Sequence, residues 1–252
     1  MNLTDKEKVI AILKGFETRD TKPLIYINPE VYIQHNLSFG DGLNGLKTLI
    51  TNYPDGVKVN VPRVFQDGNY VFVNWEYYKT SWRVGFDIFR FDKGLIVEHW
   101  DNLQERQPLN SGGHSMIDGS TVICDREKTD RNKKIAKYIV NESFINRHFE
   151  KLPLYFVDNY IEHNPSLSDN IDAFIDEFQK LQNGTPIMKY SDIHHVLGEG
   201  NFVLVASEGQ YLGHPAGFFD LFRLEKAKVA EHWITIEEIP PVENRKNKNE
   251  KF

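Results

Sequence analysis

The sequence predicts an α+β protein built from two copies of one module. Helical patterns come first in each half of the chain, and long strand-like runs separated by turn residues follow, which is typical of α+β domains. The stretch from Phe86 to Trp100 returns without a gap from Phe219 to Trp233, and eight of the fifteen aligned positions are identical. A chain of 252 residues is long enough for two small domains. We therefore expect two modules of the same architecture.

Further repeats set the boundaries of the modules. Tyr32–Leu37 matches Tyr160–Pro165, and Gly68-Asn69-Tyr70 matches Gly200-Asn201-Phe202 in the same order along the chain. The duplication therefore covers whole domains. The boundaries that follow are a first module at 1–107, a linker at 108–127, a second module at 128–240 and a polar tail at 241–252.

The first module begins with a predicted helix over 4–18. Thr4-Asp5-Lys6-Glu7 is a capping box, and apolar residues then recur at helical spacing. Asp67-Gly68-Asn69 and Asp92-Lys93-Gly94 provide turns between the strands that follow. The remaining predicted elements are a helical turn at 24–27, a strand at 31–36, a helix at 43–52, and strands at 57–65, 70–78, 82–91 and 95–104.

The second module is predicted to repeat this order. A long helix is expected over 129–149, and a second helix over 169–181 with Asp169 as its cap. The hairpin at 219–233 closes the module. Glycine and serine give the linker the composition of a loop, although apolar residues within it indicate that it packs.

The charge and the cysteine count exclude several classes of function. The net charge is −6 and neither module contains a basic block, which argues against nucleic acid as a partner. The basic run Arg245–Lys251 is interrupted by Asn and Glu, so we expect a solvated end. The single cysteine, Cys124, excludes an internal disulfide and a cysteine-based zinc site.

Cofactor, metal and membrane signals are missing from the sequence. There is no glycine-rich nucleotide motif, no Gly-x-Ser-x-Gly elbow and no His-x-x-x-His pair. We therefore expect no cofactor and no metal. No apolar run approaches about 18 residues and the N-terminus lacks the apolar core of a signal peptide, so we expect no membrane association and a cytoplasmic location.

Three sequence blocks carry a resemblance to a known family. The blocks are Tyr32-Ile-Gln-His-Asn36, Phe86-Asp-Ile-Phe-Arg90 and Ile96-Val-Glu-His-Trp-Asp101. They resemble the SnoaL-like polyketide cyclases of the nuclear-transport-factor-2-like superfamily, and the linker from Ser115 to Lys133 is similar to that of tandem members. The resemblance covers nearly all of the first module and most of the second.

The resemblance implies a fold and a range of functions. The fold is a cone in which a curved mixed sheet wraps around helices and leaves an apolar cavity at its open end. The superfamily contains cyclases, isomerases, hydrolases, dehydratases and non-catalytic binders on this scaffold. Such modules often pair sheet to sheet, so we expect an intrachain pseudo-dimer, with a homodimer as a further possibility.

Asp101 is the first candidate for catalysis. Strand alternation puts His99 and Asp101 on one face, and Glu98 and Trp100 on the other. In the cyclases that the chain resembles, the acid at this position points into the cavity and acts as acid and base. The alternative is a strand-end aspartate that faces water or a neighbouring loop.

Two histidines are candidate partners of Asp101. His35 could hydrogen-bond the carboxylate or a substrate oxygen. His163 and His232 occupy the places of His35 and His99 in the second module, where Ile234 replaces the acid. Because histidines are kept where the acid is lost, structural roles for both pairs remain open, and the second module is expected to be inactive.

Aromatic side chains are the candidate ligand-binding wall of the first module. Trp75 and Tyr77 share a face by alternation, and their counterparts, Ser207 and Gly209, are small, so the two cavities must differ. The complete set of candidate ligand-binding residues is Tyr32, Trp75, Tyr77 and Trp82.

The function that these residues favour is cofactor-free acid/base chemistry on a small, apolar carbonyl compound in the first module, as in a polyketide cyclase or a ketosteroid isomerase. The alternative is a ligand-binding or structural protein without turnover. Asp87 and Arg90, which are present in both copies, are interpreted as architectural, either a strand-to-strand ion pair or a contact between modules. Trp100 and Trp233 fall on the face opposite Asp101, where we expect the two sheets to pack.

Overall fold

The structure is a computed structural model that describes residues 3–252 of the chain. The fold divides into two compact units, Met1–Glu105 with Ile239–Phe252 and Arg106–Glu238. These are called the first and second unit below. The linker therefore belongs to the second unit, whereas the tail belongs to the first.

The first unit packs two helices and a 3₁₀ turn against one five-stranded sheet with the order β1-β5-β4-β3-β2. β1 runs parallel to β5 and the other neighbours are antiparallel. Its elements are α1 (Asp5–Thr18), the 3₁₀ turn Lys22–Tyr26, β1 (Ile33–Gln34), α2 (Gly42–Thr51), β2 (Lys58–Asp67), β3 (Tyr70–Tyr78), β4 (Trp82–Asp92) and β5 (Leu95–Glu105).

The second unit repeats this plan with the sheet order β6-β12-β11-β10-β9. A small hairpin, β7 with β8, is added before the long strands. Its elements are the 3₁₀ turn Arg126–Lys128, α3 (Thr129–Ile139), the π-helix Val140–Ile145, the 3₁₀ turn Leu152–Tyr155, β6 (Phe156–Glu162), α4 (Ile171–Gln179), β7 (Leu181–Gln182), β8 (Thr185–Pro186), β9 (Met188–Glu199), β10 (Phe202–Tyr211), β11 (His214–Glu225) and β12 (Lys228–Glu238).

The predicted α+β class with two modules is confirmed. Each unit has its own hydrophobic core, in which helices cover one face of a five-stranded sheet. Phe144, Phe174 and Phe178 lie at the centre of the second core, where their rings pack together. Burial of such large aromatic side chains is the main stabilising contribution in a domain of this size.

Helix ends follow the local sequence. Thr4 caps α1 in the predicted capping box, in which Thr4 and Glu7 satisfy each other's backbone N–H groups. The cap of α4 is Asn170 and not Asp169 as predicted. The Asp169 carboxylate instead accepts hydrogen bonds from the Glu162 backbone N–H and from His114.

Two elements differ from the sequence prediction. The strand expected at 31–36 is reduced to the two residues of β1, because only this part reaches the parallel ladder of β5. The long helix expected at 129–149 changes to a π-helix at Val140, a widening of the turn that is common near irregular packing. Within residues 3–252, none of the helices has the length and apolar character needed to cross a bilayer.

The tail is not the solvated end that its composition predicted. Asn247 and Lys251 are only 8% and 7% exposed. The Lys246 N–H donates to the Leu37 carbonyl at 2.8 Å, so the tail is anchored on the loop that follows β1. Composition alone misses this because the anchoring groups are polar and bond to backbone.

Candidate functional site

A cavity lies between the helices and the sheet of the first unit, and its empty space of about 480 Å³ includes the solvent at its open mouth. Most of its wall is apolar, and its carboxylate, imidazole and side-chain amide groups come from β1, β4 and β5. Such a pocket, with few convergent polar groups, is the usual form of a small-molecule site. The lining residues are Ile12, Leu13, Phe16, Tyr32, Gln34, Phe39, Leu46, Leu49, Tyr53, Trp75, Tyr77, Asp87, Phe89, His99, Asp101 and Leu103.

Strand register brings three titratable groups together at the polar end of this cavity. Asp87 on β4 lies directly opposite Asp101 on β5, and His99 precedes Asp101 by two positions on the same face. One ligand atom from each of the three lies within 4.8 Å of the others. All three are buried, with exposures of 2%, 3% and 7% for Asp87, Asp101 and His99.

His99 is held by hydrogen bonds at both ring nitrogens. The Asn36 backbone N–H donates to Gln34 Oε1 at 2.8 Å, which identifies this atom as the acceptor for His99 Nδ1 at 2.9 Å. Nδ1 therefore carries a hydrogen. Nε2 lies 3.1 Å from Asp87 Oδ2, so a proton lies between these two atoms. The imidazole is fixed in one orientation.

Asp87 is fully occupied by its neighbours. Its second oxygen, Oδ1, accepts a hydrogen bond of 2.6 Å from Trp75 Nε1. With both oxygens bonded, Asp87 orients His99 and Trp75. A metal ion could be held by Asp87, His99 and Asp101 only if His99 gave up one of its two hydrogen bonds.

Asp101 is bonded on one oxygen only. Asn36 Nδ2 donates to Oδ2 at 2.5 Å. Oδ1 is buried and has no hydrogen-bond partner among the residues that the structure describes, and Lys251 Nζ lies 3.7 Å from it as an ion-pair partner. A buried carboxylate oxygen without a hydrogen bond is costly, and such atoms are few in native proteins.

Phenolic hydroxyl groups complete the polar part of the wall. Burial, reinforced by the charges of Asp101 and Asp87, raises the pKa of Tyr32 well above its usual value. Burial likewise raises the pKa of Tyr77 and of Tyr53. These hydroxyls stay protonated at neutral pH. Because the Tyr32 oxygen accepts a 3.2 Å bond from Gln34 Nε2, its own hydrogen remains available to donate.

The structure does not bring His35 to Asp101. Its ring stacks on Trp100 with centroids 4.8 Å apart, on the opposite face of the sheet. Nε2 lies 3.0 Å from Glu98, and Nδ1 lies 2.6 Å from the carbonyl oxygen of Glu250. His35 is thus a candidate for a structural role. The cause is alternation along 32–36, which turns residues 32, 34 and 36 inward.

Trp82 and the Asp87–Arg90 pair also depart from the sequence interpretation. Trp82 lies at the start of β4 against Tyr78, with ring centroids 5.5 Å apart, and does not line the cavity. Arg90 pairs with Glu98 through contacts of 2.7 and 2.6 Å. Asp87 and Arg90 are three residues apart on a strand, and so point to opposite faces.

Sequence reasoning missed Gln34 and Asn36, which hold His99 and Asp101. Both belong to the Tyr32-Ile-Gln-His-Asn36 block that carries the family resemblance. The alternation that separated Asp101 from Trp100 on β5 applies here as well. Applied to this block, it would have placed them on the face of Tyr32.

The second unit has a filled interior at the same place. Phe218 stands where the first unit has Gly85, and its ring lies 4.1 Å from that of Tyr190. Tyr190 donates to Asp220, the counterpart of Asp87, at 3.2 Å. At Gly85, an added Cβ would lie 2.3 Å from the Leu103 side chain, so a larger residue there requires Leu103 to shift.

A buried ionic cluster takes the place of the cavity's polar end. His232 lies between Asp220 at 3.0 Å and Glu162 at 3.1 Å, and all three are 0% exposed. Burial alone would lower the pKa of His232, but the charge of Glu162 and hydrogen bonds to both carboxylates raise it to about 9. Burial raises the pKa of Asp220, an effect that the bond to His232 offsets in part.

This cluster predicts a pH-dependent stability. The His232 pKa rises from 6.5 unfolded to about 9 folded, so its stabilisation is complete below pH 6.5 and is lost as pH rises through 9. We expect the free energy of unfolding to fall by an amount on the order of 3 kcal/mol across this window. Urea unfolding at intervals from pH 6 to 10 measures it.

The control for this prediction is the exposed His214→Gln variant, which should keep the native pH dependence. His232→Gln should give a flatter curve over the same window, at lower overall stability. An unchanged slope in His232→Gln would assign the pH dependence to other groups.

Comparison with known proteins leaves the family undecided. No family model matches the chain, and no curated protein matches it. Solved structures similar to part of it include a putative polyketide cyclase from Bacillus cereus, with 18% identity over 38% of this chain and 72% of that chain and a TM-score of 0.35. An epoxide hydrolase from M. tuberculosis is 18% identical over 40% of this chain and 82% of that chain, with a TM-score of 0.34. An NTF-2 like protein of unknown function from Burkholderia xenovorans is 14% identical over 42% of this chain and 88% of that chain, with a TM-score of 0.36.

Proposed function

We propose that the first unit transfers a proton at the carbon next to a carbonyl group in a small, largely apolar compound, without a cofactor. The observation that carries this proposal is the Asp101 carboxylate. It is buried at the polar end of an apolar cavity, and its Oδ1 has no hydrogen bond in the described chain. A ligand that reached this oxygen would meet an acceptor with no competing hydrogen bond.

The cavity supports recognition of an apolar substrate. Trp75 and Tyr77 stack with centroids 5.1 Å apart, and they form a flat aromatic wall. Opposite this wall, aliphatic side chains of α1 and α2 line the cavity. An aromatic or alicyclic body would bury apolar surface against both, which leaves its carbonyl group to the polar end.

The proton balance of the step is simple. Asp101 takes the proton from the α carbon, and the electron pair of the C–H bond moves to give an enolate. A protonated donor at the carbonyl oxygen stabilises that charge, and Tyr32 supplies an O–H on the same end of the cavity. Return of the proton to another carbon would complete an isomerisation, and attack of the enolate on a second carbonyl would complete a cyclisation.

The test is exchange of α protons for deuterium, which requires only the first half of this chemistry. We expect the protein to accelerate loss of the α-proton NMR signal of 2-tetralone in D₂O over buffer alone. Naphthalene, which fits the same apolar wall and has no carbonyl, should slow the exchange by competition. A series of ketones of increasing size extends the assay to the limit set by the cavity.

Absence of acceleration for every ketone tested would reject the proposal. If saturation-transfer NMR then detected bound 2-tetralone, the protein would be a binder without turnover. In that case the cavity would bind the same ligand, but Asp101 would not remove a proton from it.

A further inference from the structure

Lys251 is an unusual residue because its charged side chain is buried. Its exposure is 7%, whereas lysines are almost never buried without a partner. The carboxylate that pairs with it is Asp101, whose Oδ1 lies 3.7 Å from Lys251 Nζ. This distance is too long for a hydrogen bond but close enough for strong attraction at low exposure.

The tail is fixed along the chain segment that builds the site. Asn247 Nδ2 donates to the carbonyls of Asn36 at 2.8 Å and Phe39 at 2.9 Å. Asn249 Nδ2 donates to the Gln34 carbonyl at 2.9 Å. The tail therefore binds residues 34–39 through their backbone and brings Lys251 to Asp101.

The same segment serves the cavity through its side chains. Gln34 holds His99, and Asn36 holds Asp101. The backbone of these residues faces the tail while their side chains face the catalytic candidates. A shift in the position of the tail would therefore reach Asp101 through two contacts, one made by Asn36 and one made by Lys251.

The second unit provides an internal comparison. There the linker takes the place of the tail, since the Ser115 carbonyl lies 2.9 Å from His163 Nδ1 as the Glu250 carbonyl lies beside His35. Met116 follows Ser115 as Lys251 follows Glu250. Ile234 stands where the first unit has Asp101.

The two positions are thus both charged in the first unit and both uncharged in the second. A lysine accompanies the aspartate in the first unit, whereas the corresponding positions of the second unit are the uncharged Met116 and Ile234. A lysine that served only the solubility of a polar tail would be exposed. Lys251 is instead buried beside Asp101, the acid that Ile234 replaces in the second unit.

We propose that Lys251 is a positioning residue that keeps the Asp101 carboxylate ionised and oriented for proton abstraction, a role that rests on the proposed function. Its ammonium group favours the anion before the reaction. When the proton reaches Asp101, the ion pair weakens, and the ammonium charge then acts on the enolate.

A double-mutant cycle tests the pairing without any ligand. Lys251→Met, Asp101→Ile and the double variant, which copies the second unit, are unfolded in urea at pH 7. We expect the change in the unfolding constant of the double variant to be at least about tenfold smaller than the product of the two single changes. A simple product would overturn the pairing. If either single variant fails to fold, Lys251→Gln and Asp101→Asn replace it in the cycle.

The pH profile of 2-tetralone exchange tests the positioning role. In Lys251→Met the acidic limb of the profile should move to higher pH, because an opposite charge no longer favours the anion. Lys251→Arg, which keeps the charge, should retain the native limb. Equal slowing at all pH values would show that Lys251 is merely structural.

The two experiments separate the two proposals. No exchange by the native protein, together with a coupled cycle, would reject the proposed function and retain the Lys251–Asp101 pair. Exchange by the native protein with an uncoupled cycle would retain the function and reject the role of Lys251.

Discussion

Asp101→Asn is expected to slow the exchange of 2-tetralone α protons by about 10²–10⁴-fold, the usual contribution of a positioned general base. Asparagine has nearly the same shape and can keep the hydrogen bond from Asn36, but it cannot take up the proton. The measurement is the initial rate of signal loss in D₂O at matched protein concentration. Exchange at the native rate would show that another residue abstracts the proton.

The matched control is Asp92→Asn, a change in the exposed turn between β4 and β5. It should exchange at the native rate. Asp101→Asn should also be less stable than the native protein, because the change removes the carboxylate charge that faces the buried Lys251 ammonium group. Rates are therefore compared well below the unfolding temperature of the variant, as set by a thermal melt.

Ile234→Asp is expected to reduce the free energy of unfolding by about 3–5 kcal/mol, since it buries a third carboxylate next to a single cation, His232, which already pairs with Asp220 and Glu162. Ile234 is 3% exposed within the second core and lies directly opposite Asp220 in the strand register. The new charge would repel Asp220, and Met116, which corresponds in sequence to Lys251, carries no ammonium group. Urea unfolding at pH 7 measures the loss.

Ile234→Val is the control, with an expected loss of about 0.5–1.5 kcal/mol from one missing methylene. A loss of similar size in both variants would mean that the second interior readily admits charge. In that case the difference between the two units would not depend on the residue at this position.

Regular alternation made part of the site predictable. β5 is eleven residues long and pairs with β4 without a break from Glu98 to Glu105, so the faces of His99 and Asp101 follow from counting. Trp75 and Tyr77 on β3 follow in the same way. The repeated hairpin likewise predicted two modules, since a shared pattern of this length fixes shared strand pairs.

Other parts depend on pairings that a sequence does not display. β1 has only two residues, and its parallel partner is about 65 residues away, so the inward turn of Gln34 and Asn36 was missed. Asp87 became part of the site through its register opposite Asp101. Ser207 and Gly209 predicted a different cavity, but Phe218 and Tyr190 from other strands fill the interior.

The linker belongs to the second unit and the tail belongs to the first, and this arrangement affects the order in which the units fold. His35 and Glu250 are separated by 215 positions, and a ribosome makes the whole second unit between them. Domains generally fold in order of synthesis. The nascent first unit can therefore form its sheet and cavity well before Lys251 is made. During that interval Asp101 lacks its counter-charge, so biogenesis itself postpones the completed site until both units have emerged.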